Sequence, residues 1–350
     1  MKNLYLALIL LVFSIDLAAQ DVSFTQFFAM PYQINPALTG TIDGKYRIGM
    51  IYKDQWRGGV DNPYTTTAIG GEVRFDVNPA EKRNPDRAGI GIFFMNDQVN
   101  TFSLNTSQIA ISGAYHKSLG KDGNQFLGAG AQISIFQRNI GYDNLNFGDE
   151  FNELDGFDQT SAEILPPNNL GFVDISLGFT YLIKPRKSTS VLAGAALHHL
   201  TSPNASFFEG QENLNPAIDP NSLLLQRIVA HVSVDQKLSE FLHIQPRVLY
   251  QQQGYNKEVR IGTNLQYFTE GNLNAFHFGA WLSAVDNVDG FSMNYLSPLV
   301  GFQLKSFLIG FSYDINIRQT FGDTRGLDAF ELTFRFNGDY YNDDGFCPEF

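Results

Sequence analysis

From Phe307 to Arg318 the chain reads FLIGFSYDINIR. Phe307, Ile309, Phe311, Tyr313, Ile315 and Ile317 alternate with Leu308, Gly310, Ser312, Asp314, Asn316 and Arg318. Successive strand side chains point to opposite faces, so this is a strand with one apolar and one polar side. The pattern recurs. Phe330, Leu332, Phe334 and Phe336 oppose Glu331, Thr333, Arg335 and Asn337. Val173, Ile175, Leu177, Phe179 and Tyr181 oppose Asp174, Ser176, Gly178 and Thr180. Val259, Ile261, Thr263, Leu265 and Tyr267 oppose Arg260, Gly262, Asn264 and Gln266. Leu242, Ile244, Pro246, Val248 and Tyr250 oppose His243, Gln245, Arg247 and Gln251, with Leu249 the exception on the polar side.

A soluble β-sandwich also alternates. Two features favour a membrane barrel. The apolar face runs for about five consecutive positions, the length of the 9–11-residue tilted strands that cross a bilayer, whereas soluble strands run nearer five or six residues. The opposite face carries Gly, Ser, Asn, Gln and isolated charges of both signs, as a wet lumen does. Closure also satisfies every backbone donor and acceptor without an edge, which hydrocarbon demands. Composition agrees: charged residues are 17%, against roughly 25% in soluble domains, while Gly (32) and aromatics (14%) fill the difference.

The alternation predicts an all-β, antiparallel up-and-down transmembrane barrel of about fourteen strands, within two. The strands are centred on Tyr46–Tyr52, Thr65–Val77, Ala88–Met95, Phe102–Lys117, Phe126–Gln137, Val173–Ile183, Val191–His199, Gln226–Lys237, Leu242–Gln251, Glu258–Phe268, Ala275–Ala284, Met293–Leu304, Phe307–Arg318 and Ala329–Phe336. Connections alternate in length. Gly120–Gln125, Lys184–Ser190, Ser239–Phe241 and Lys305–Ser306 are short and read as periplasmic turns; Asn139–Phe172 and Leu200–Leu225 are the long outer loops. Asn78–Arg87, long for a turn, and Gly254–Asn256, short for an outer loop, break the regularity. Tyr52, Trp56, Tyr250, Tyr267 and Trp281 are placed to serve as interfacial girdle aromatics.

Residues 1–20 read as a cleaved export signal: Lys2, an uncharged run from Leu4 to Val12, then Leu17-Ala18-Ala19-Gln20. No later stretch reaches the roughly 18 apolar residues of a membrane helix. The expected organisation is the signal (1–20), an N-terminal segment (21–45) on the periplasmic side or folded into the lumen, the barrel (46–337) and a periplasmic tail (338–350).

Chemistry is sparse. The net charge of -12 argues against nucleic acid as a partner, and the lone Cys347 excludes an intrachain disulfide or a Cys-rich metal site. His198 and His199 would face opposite sides of a regular strand, which makes them rim or lumen histidines rather than ligands of one metal. Asp149, Glu150, Glu153, Asp155 and Asp158 lack the calcium-loop order and read as a solvated acidic loop. Gly89 and Gly91, and Gly128 and Gly130, lie inside strands, where glycine eases curvature or lumen crowding. No G-x-S-x-G, Walker A or H-E-x-x-H is present, so no enzyme, metal or cofactor is expected. Arg47, Glu72, Arg74, Asp76, Asp174 and Arg227, with Asp235, Arg247, Arg260, Asp314, Arg318, Glu331 and Arg335, are the inward charges, suited to pairing across a plugged lumen or to lining a watery pore.

The N-terminal stretch holds Phe24-Thr25-Gln26-Phe27-Phe28 and Pro31-Tyr32-Gln33-Ile34-Asn35-Pro36-Ala37-Leu38-Thr39-Gly40. Then come Tyr46-Arg47, Gln55-Trp56-Arg57 and Pro63-Tyr64-Thr65-Thr66, and late in the chain Phe311-Ser312-Tyr313-Asp314-Ile315-Asn316, Phe330-Glu331-Leu332 and Cys347-Pro348-Glu349-Phe350. In this order the chain resembles the PorP/SprF family, outer-membrane proteins of the type IX secretion and gliding system of Bacteroidota. Glu349 stands where the family tail commonly carries a basic residue. The resemblance implies an outer-membrane barrel that partners or anchors a secreted cargo or adhesin with a type IX sorting domain. Two alternatives stay open: docking of a periplasmic, peptidoglycan-binding lipoprotein, and transport of small solutes. The bilayer and its lipopolysaccharide complete the expected surroundings. Phe147, Phe151, Phe157, Phe207 and Phe208, apolar side chains in polar outer loops, are the candidate partner-binding residues.

Overall fold

The computed structural model describes residues 21–59, 63–77, 85–99, 103–119, 124–142, 146–152, 154, 156, 161, 165–208, 222–269, 274–287, 290–317 and 327–339. The expected signal (1–20), Phe157, Glu153, Asp155, Asp158, Arg318 and the Cys347 tail lie outside them.

The alternating stretches form fourteen antiparallel strands: β1 (Tyr46–Gln55), β2 (Tyr64–Val77), β3 (Asp86–Val99), β4 (Leu104–Leu119), β5 (Gln125–Ile140), β6 (Asn169–Arg186), β7 (Thr189–His198), β8 (Arg227–Lys237), β9 (Leu242–Gln253), β10 (Asn256–Phe268), β11 (Asn274–Asn287), β12 (Gly290–Leu304), β13 (Phe307–Asn316) and β14 (Ala329–Gly338). Each pairs with its chain neighbours, and β1 pairs with β14 from Tyr46↔Gly338 to Gln55↔Ala329, closing the barrel. Closure removes the sheet edge. The strands run past their expected bounds at most ends, because pairing continues through polar residues beyond the apolar stripe.

The wall is inverted relative to a soluble protein. Ile90, Ile92, Ile111, Ile133, Ile135 and Phe179 are each more than half exposed on the outside, while Ser112, Gln132, Ser134, Asp174, Ser176 and Thr180 are buried inside. Such a continuous apolar exterior is stable against hydrocarbon, not water. No described helix is long and apolar enough to cross a membrane; the strands do so. Two prolines interrupt the ladder. Pairing jumps from Leu296↔Ile315 to Leu299↔Ser312 across Pro298, and from Ser233↔Arg247 to Gln236↔Ile244 across Pro246, because proline offers no N–H to the neighbouring strand.

One end carries the connections after β2, β4, β6, β8, β10 and β12, of which the β6–β7 and β12–β13 turns are two residues long. The other end carries residues 141–168 and 199–226. In the latter, Asn204 bridges Leu223 and forms a short ribbon at the barrel mouth.

Candidate functional site

Residues 21–44 run inside the barrel. Proline and asparagine set their local form. Pro31 and Pro36 open two of three short 3-10 turns (Phe27–Ala29, Pro31–Gln33, Pro36–Leu38), where a missing N–H costs nothing. The Asn35 side chain accepts from the Ala37 N–H at 2.9 Å, capping the third turn. Its amide also donates to the carbonyls of Phe179 (3.1 Å) and Ala195 (3.3 Å) and meets His231 Nε2 at 3.1 Å. One side chain thus ties the segment to β6, β7 and β8.

Close approach needs a wall without side chains at those points. A Cβ on Gly178 would stand 1.9 Å from Asn35 Oδ1, and one on Gly130 would stand 2.6 Å from Ala37 N. Gly40 takes a left-handed φ of 79°, and a Cβ on Gly89 would fall 2.6 Å from its Cα. Inward glycines are therefore a track on which the segment lies. Apolar side chains fill the rest. Phe24, Met30 and Tyr32 pack with Ile51, Ala68 and Phe93. Phe27, Ile34 and Leu38 pack with Val229, Leu249 and Trp281.

This second cluster corrects one expectation and explains another. Trp281 is not a girdle aromatic. It is 2% exposed, faces the lumen from β11, holds Phe27 edge-to-face at 5.3 Å and donates its indole N–H to Asn264 Oδ1 at 3.2 Å. Leu249, the apolar exception on a polar face, is the lumen contact of the same cluster. Trp56 does sit at a strand end, edge-on to Tyr64 at 4.8 Å, and Tyr267 is half exposed on the outside.

The segment's upper part is held by charge. Glu331 of β14 has no exposed surface, and its two oxygens accept the Thr25 and Gln26 backbone N–H groups at 2.7 and 2.9 Å. Thr25 Oγ1 donates to Asp314 of β13 at 2.9 Å, and the Gln26 amide donates to Ser312 at 3.1 Å. Lys53 of β1 lies 3.4 Å from Glu331 and 3.8 Å from Asp314, and donates to the Ser23 carbonyl at 2.8 Å. Buried carboxylates are tolerated only with such partners. Lower down, Glu72 pairs with Arg47 and accepts the Gly40 N–H at 2.6 Å.

The top of the segment meets the histidine pair. The strand ends at His198, and His199 takes a φ of 58°, so strand alternation fails there and both rings are buried. His198 contacts Ser176 at 3.1 Å and the Ile34 carbonyl at 3.0 Å. His199 lies between Asp174 (3.0 Å) and Asp21 (2.7 Å), with Arg227 3.3 Å from Asp21. Burial works against the His199 imidazolium, but the hydrogen bonds to Asp174 and Asp21 outweigh it and raise its pKa to about 9. Burial would likewise raise Asp21, and Arg227 with His199 overcomes it, holding the carboxyl well below its usual range. No group of three metal-ligating side chains occurs among the described residues.

Above the segment, toward the long loops, a cavity of about 680 Å³ is lined by Trp56, Met95, Phe136, Phe172, Arg260 and Trp281, among others. None of the four candidate loop aromatics among the described residues lines that cavity. Phe207 packs under the Arg138 guanidinium at 5.5 Å, and Arg138 also donates to the Ala205 carbonyl, fastening the β7–β8 loop to β5. Phe208 follows that ribbon, its N–H bonded to Ser206. The Phe147 N–H donates to Glu150 at the 3-10 turn Gly148–Glu150, and Phe151 is 40% exposed. Leu154 and Tyr255, each more than four-fifths exposed, are loop residues outside that candidate set. Glu331 and Asp314 were expected as inward charges; their hold on Thr25 and Gln26 was not. Lys53, directly opposite Glu331 on β1, is the inward charge that the sequence reading left out.

A family model described as "Type IX secretion system membrane protein PorP/SprF" matches residues 16–336. No curated protein matches the chain. Among solved structures, a Pseudomonas aeruginosa FadL homologue aligns with a TM-score of 0.51 at 12% identity, over 87% of this chain and 92% of that one. The Ralstonia pickettii toluene transporter TbuX aligns at 0.46 and 11%, over 88% and 93%. A mutant of the monoaromatic hydrocarbon channel TodX aligns at 0.48 and 10%, over 86% and 91%. At these identities the likeness to the FadL homologue is one of fold.

Proposed function

Because the chain belongs to the PorP/SprF family of type IX secretion system membrane proteins, we propose that this outer-membrane barrel holds a secreted sorting-domain cargo or adhesin at its long-loop end rather than passing solutes. One observation carries the reading: the lumen is occupied by residues 21–44, locked to β1, β6–β8, β13 and β14, so the free surface is the loop end and not a continuous bore. Residues 1–20 serve this reading as an export signal.

The loops suit a partner of particular charge. Residues 141–168 contain seven Asp or Glu and residues 200–226 contain three, with no Lys or Arg in either. Exposed Phe151, Leu154, Leu223 and Tyr255 sit among or beside them. A partner face with apolar anchors inside a basic rim complements that surface. The reading gives the barrel no catalytic step.

Deleting 146–161 or 206–222 separately, with the barrel verified by heat-modifiable gel migration, tests it. Co-purification of a sorting-domain cargo is expected to fall with either deletion and to weaken as salt rises. Undiminished, salt-insensitive recovery from both deletions places the interface elsewhere.

A further inference from the structure

The outer wall is not evenly apolar. On β4 and β5 the outward positions hold Ile109, Ile111, Ile133 and Ile135, each at least half exposed. On β7 and β8 the corresponding positions include Ala193, Ala195 and Ala230, with Val232 opposite Ala193. These small side chains floor a depression of about 490 Å³ whose sides are Leu127, Phe179 and Tyr181 on one hand and Val248 and Tyr250 on the other. Toward the short turns the furrow continues over Ile183, Val191 and Val234, which face one another across β6, β7 and β8.

At its foot the chemistry changes. The β6–β7 turn brings Lys184, Arg186 and Lys187. All three side chains are exposed, and none forms an ion pair among the described residues. Glu240 is the one acidic residue in 184–187 and 236–241. From Ala193 to the turn is four to five residues, about 13–17 Å along a strand. With strand tilt that lies within one leaflet of a hydrocarbon core about 30 Å thick.

We propose that this furrow is a binding site for an anionic glycerophospholipid of the leaflet on the short-turn side, one acyl chain lying over Ala193, Ala195 and Ala230 and the phosphate held by Lys184, Arg186 and Lys187. Alanine removes side-chain volume where a hydrocarbon chain lies flat, and flanking rings supply dispersion contacts along it. Unpaired cations at the bilayer surface then select headgroup charge. The assignment rests on the barrel sitting in a bilayer with its short turns on the phospholipid side, and not on the identity of any cargo.

The test uses the full chain reconstituted in vesicles of equal parts phosphatidylcholine and phosphatidylglycerol with identical acyl chains, then extracted and weighed intact by native mass spectrometry. Wild type is expected to retain phosphatidylglycerol over phosphatidylcholine by about tenfold or more. The K184Q/R186Q/K187Q variant, closed by heat-modifiable migration, loses that preference but still retains lipid. Ala193→Phe, which fills the furrow from outside, retains neither lipid above background. Equal retention of the two lipids by wild type, an undiminished preference in the glutamine variant, or wild-type retention by Ala193→Phe overturns the site. A chain that stays in water without detergent instead overturns the barrel reading beneath it.

Discussion

Glu331 is a carboxylate without access to water, and every partner that makes it tolerable belongs to Lys53 or to the segment at Thr25 and Gln26. Glu331→Ala leaves Lys53 with the Asp314 carboxylate and the Ser23 carbonyl and orphans two backbone N–H groups. Removing one member of a buried pair costs about 3–5 kcal/mol. Hydrogen exchange at Thr25 and Gln26 is therefore expected to accelerate by at least about a hundredfold, since each 1.4 kcal/mol is a factor of ten; unchanged protection refutes the lock. His199 adds a pH signature. Its folded pKa of about 9 lies above the unfolded value of 6.5, so its contribution is complete below about pH 6.5 and is lost as pH rises through about 9. The melting-temperature advantage of wild type over His199→Gln should follow that curve, and an advantage constant to pH 10 contradicts it. Neither residue's role was legible in sequence. Alternation says that Glu331 faces inward and says nothing of what it meets there. The two histidines do lie in the lumen, but their expected opposite-facing placement fails because the turn at His199 ends the strand one residue early.

At the scale of elements, the strands were legible, and the inner segment only as one of two alternatives. A period of two needs only local order, and each strand announces itself in about ten residues. The 3-10 turns of residues 27–38 have no period, and their place is decided by wall positions far away in sequence, such as Gly89, Gly130 and Gly178. Those glycines were visible as small residues on an inward face; the occupant facing them was not. Trp281 was misplaced for the same reason, since an aromatic at the membrane boundary and one against Phe27 look identical in one dimension. The track predicts a contrast. Gly178→Ala and Gly89→Ala should each destabilise the barrel by about 1–3 kcal/mol through overpacking. Gly71→Ala, whose Cβ would find nothing nearer than 3.6 Å, should leave the unfolding midpoint in urea unchanged. Equal midpoints for all three variants dispose of the track.

For the whole molecule, the question is whether anything flows through it. With residues 21–44 in place, planar bilayers are expected to show no large steady current. A chain lacking residues 21–42 should conduct, because the inward wall it bares is polar and charged. Steady large conductance by the intact protein favours the transport alternative over the holding one. The ends of the chain also share a fate. Thr25 reaches Glu331 across 306 positions, and Thr25 reaches Asp314 across 289. Thr25 and Gln26 find their carboxylates only when the last two strands have arrived. The lock thereby acts as a certificate of completion: a barrel missing its final two strands leaves that stretch unlatched, open to proteases that patrol the envelope, while a finished one hides it.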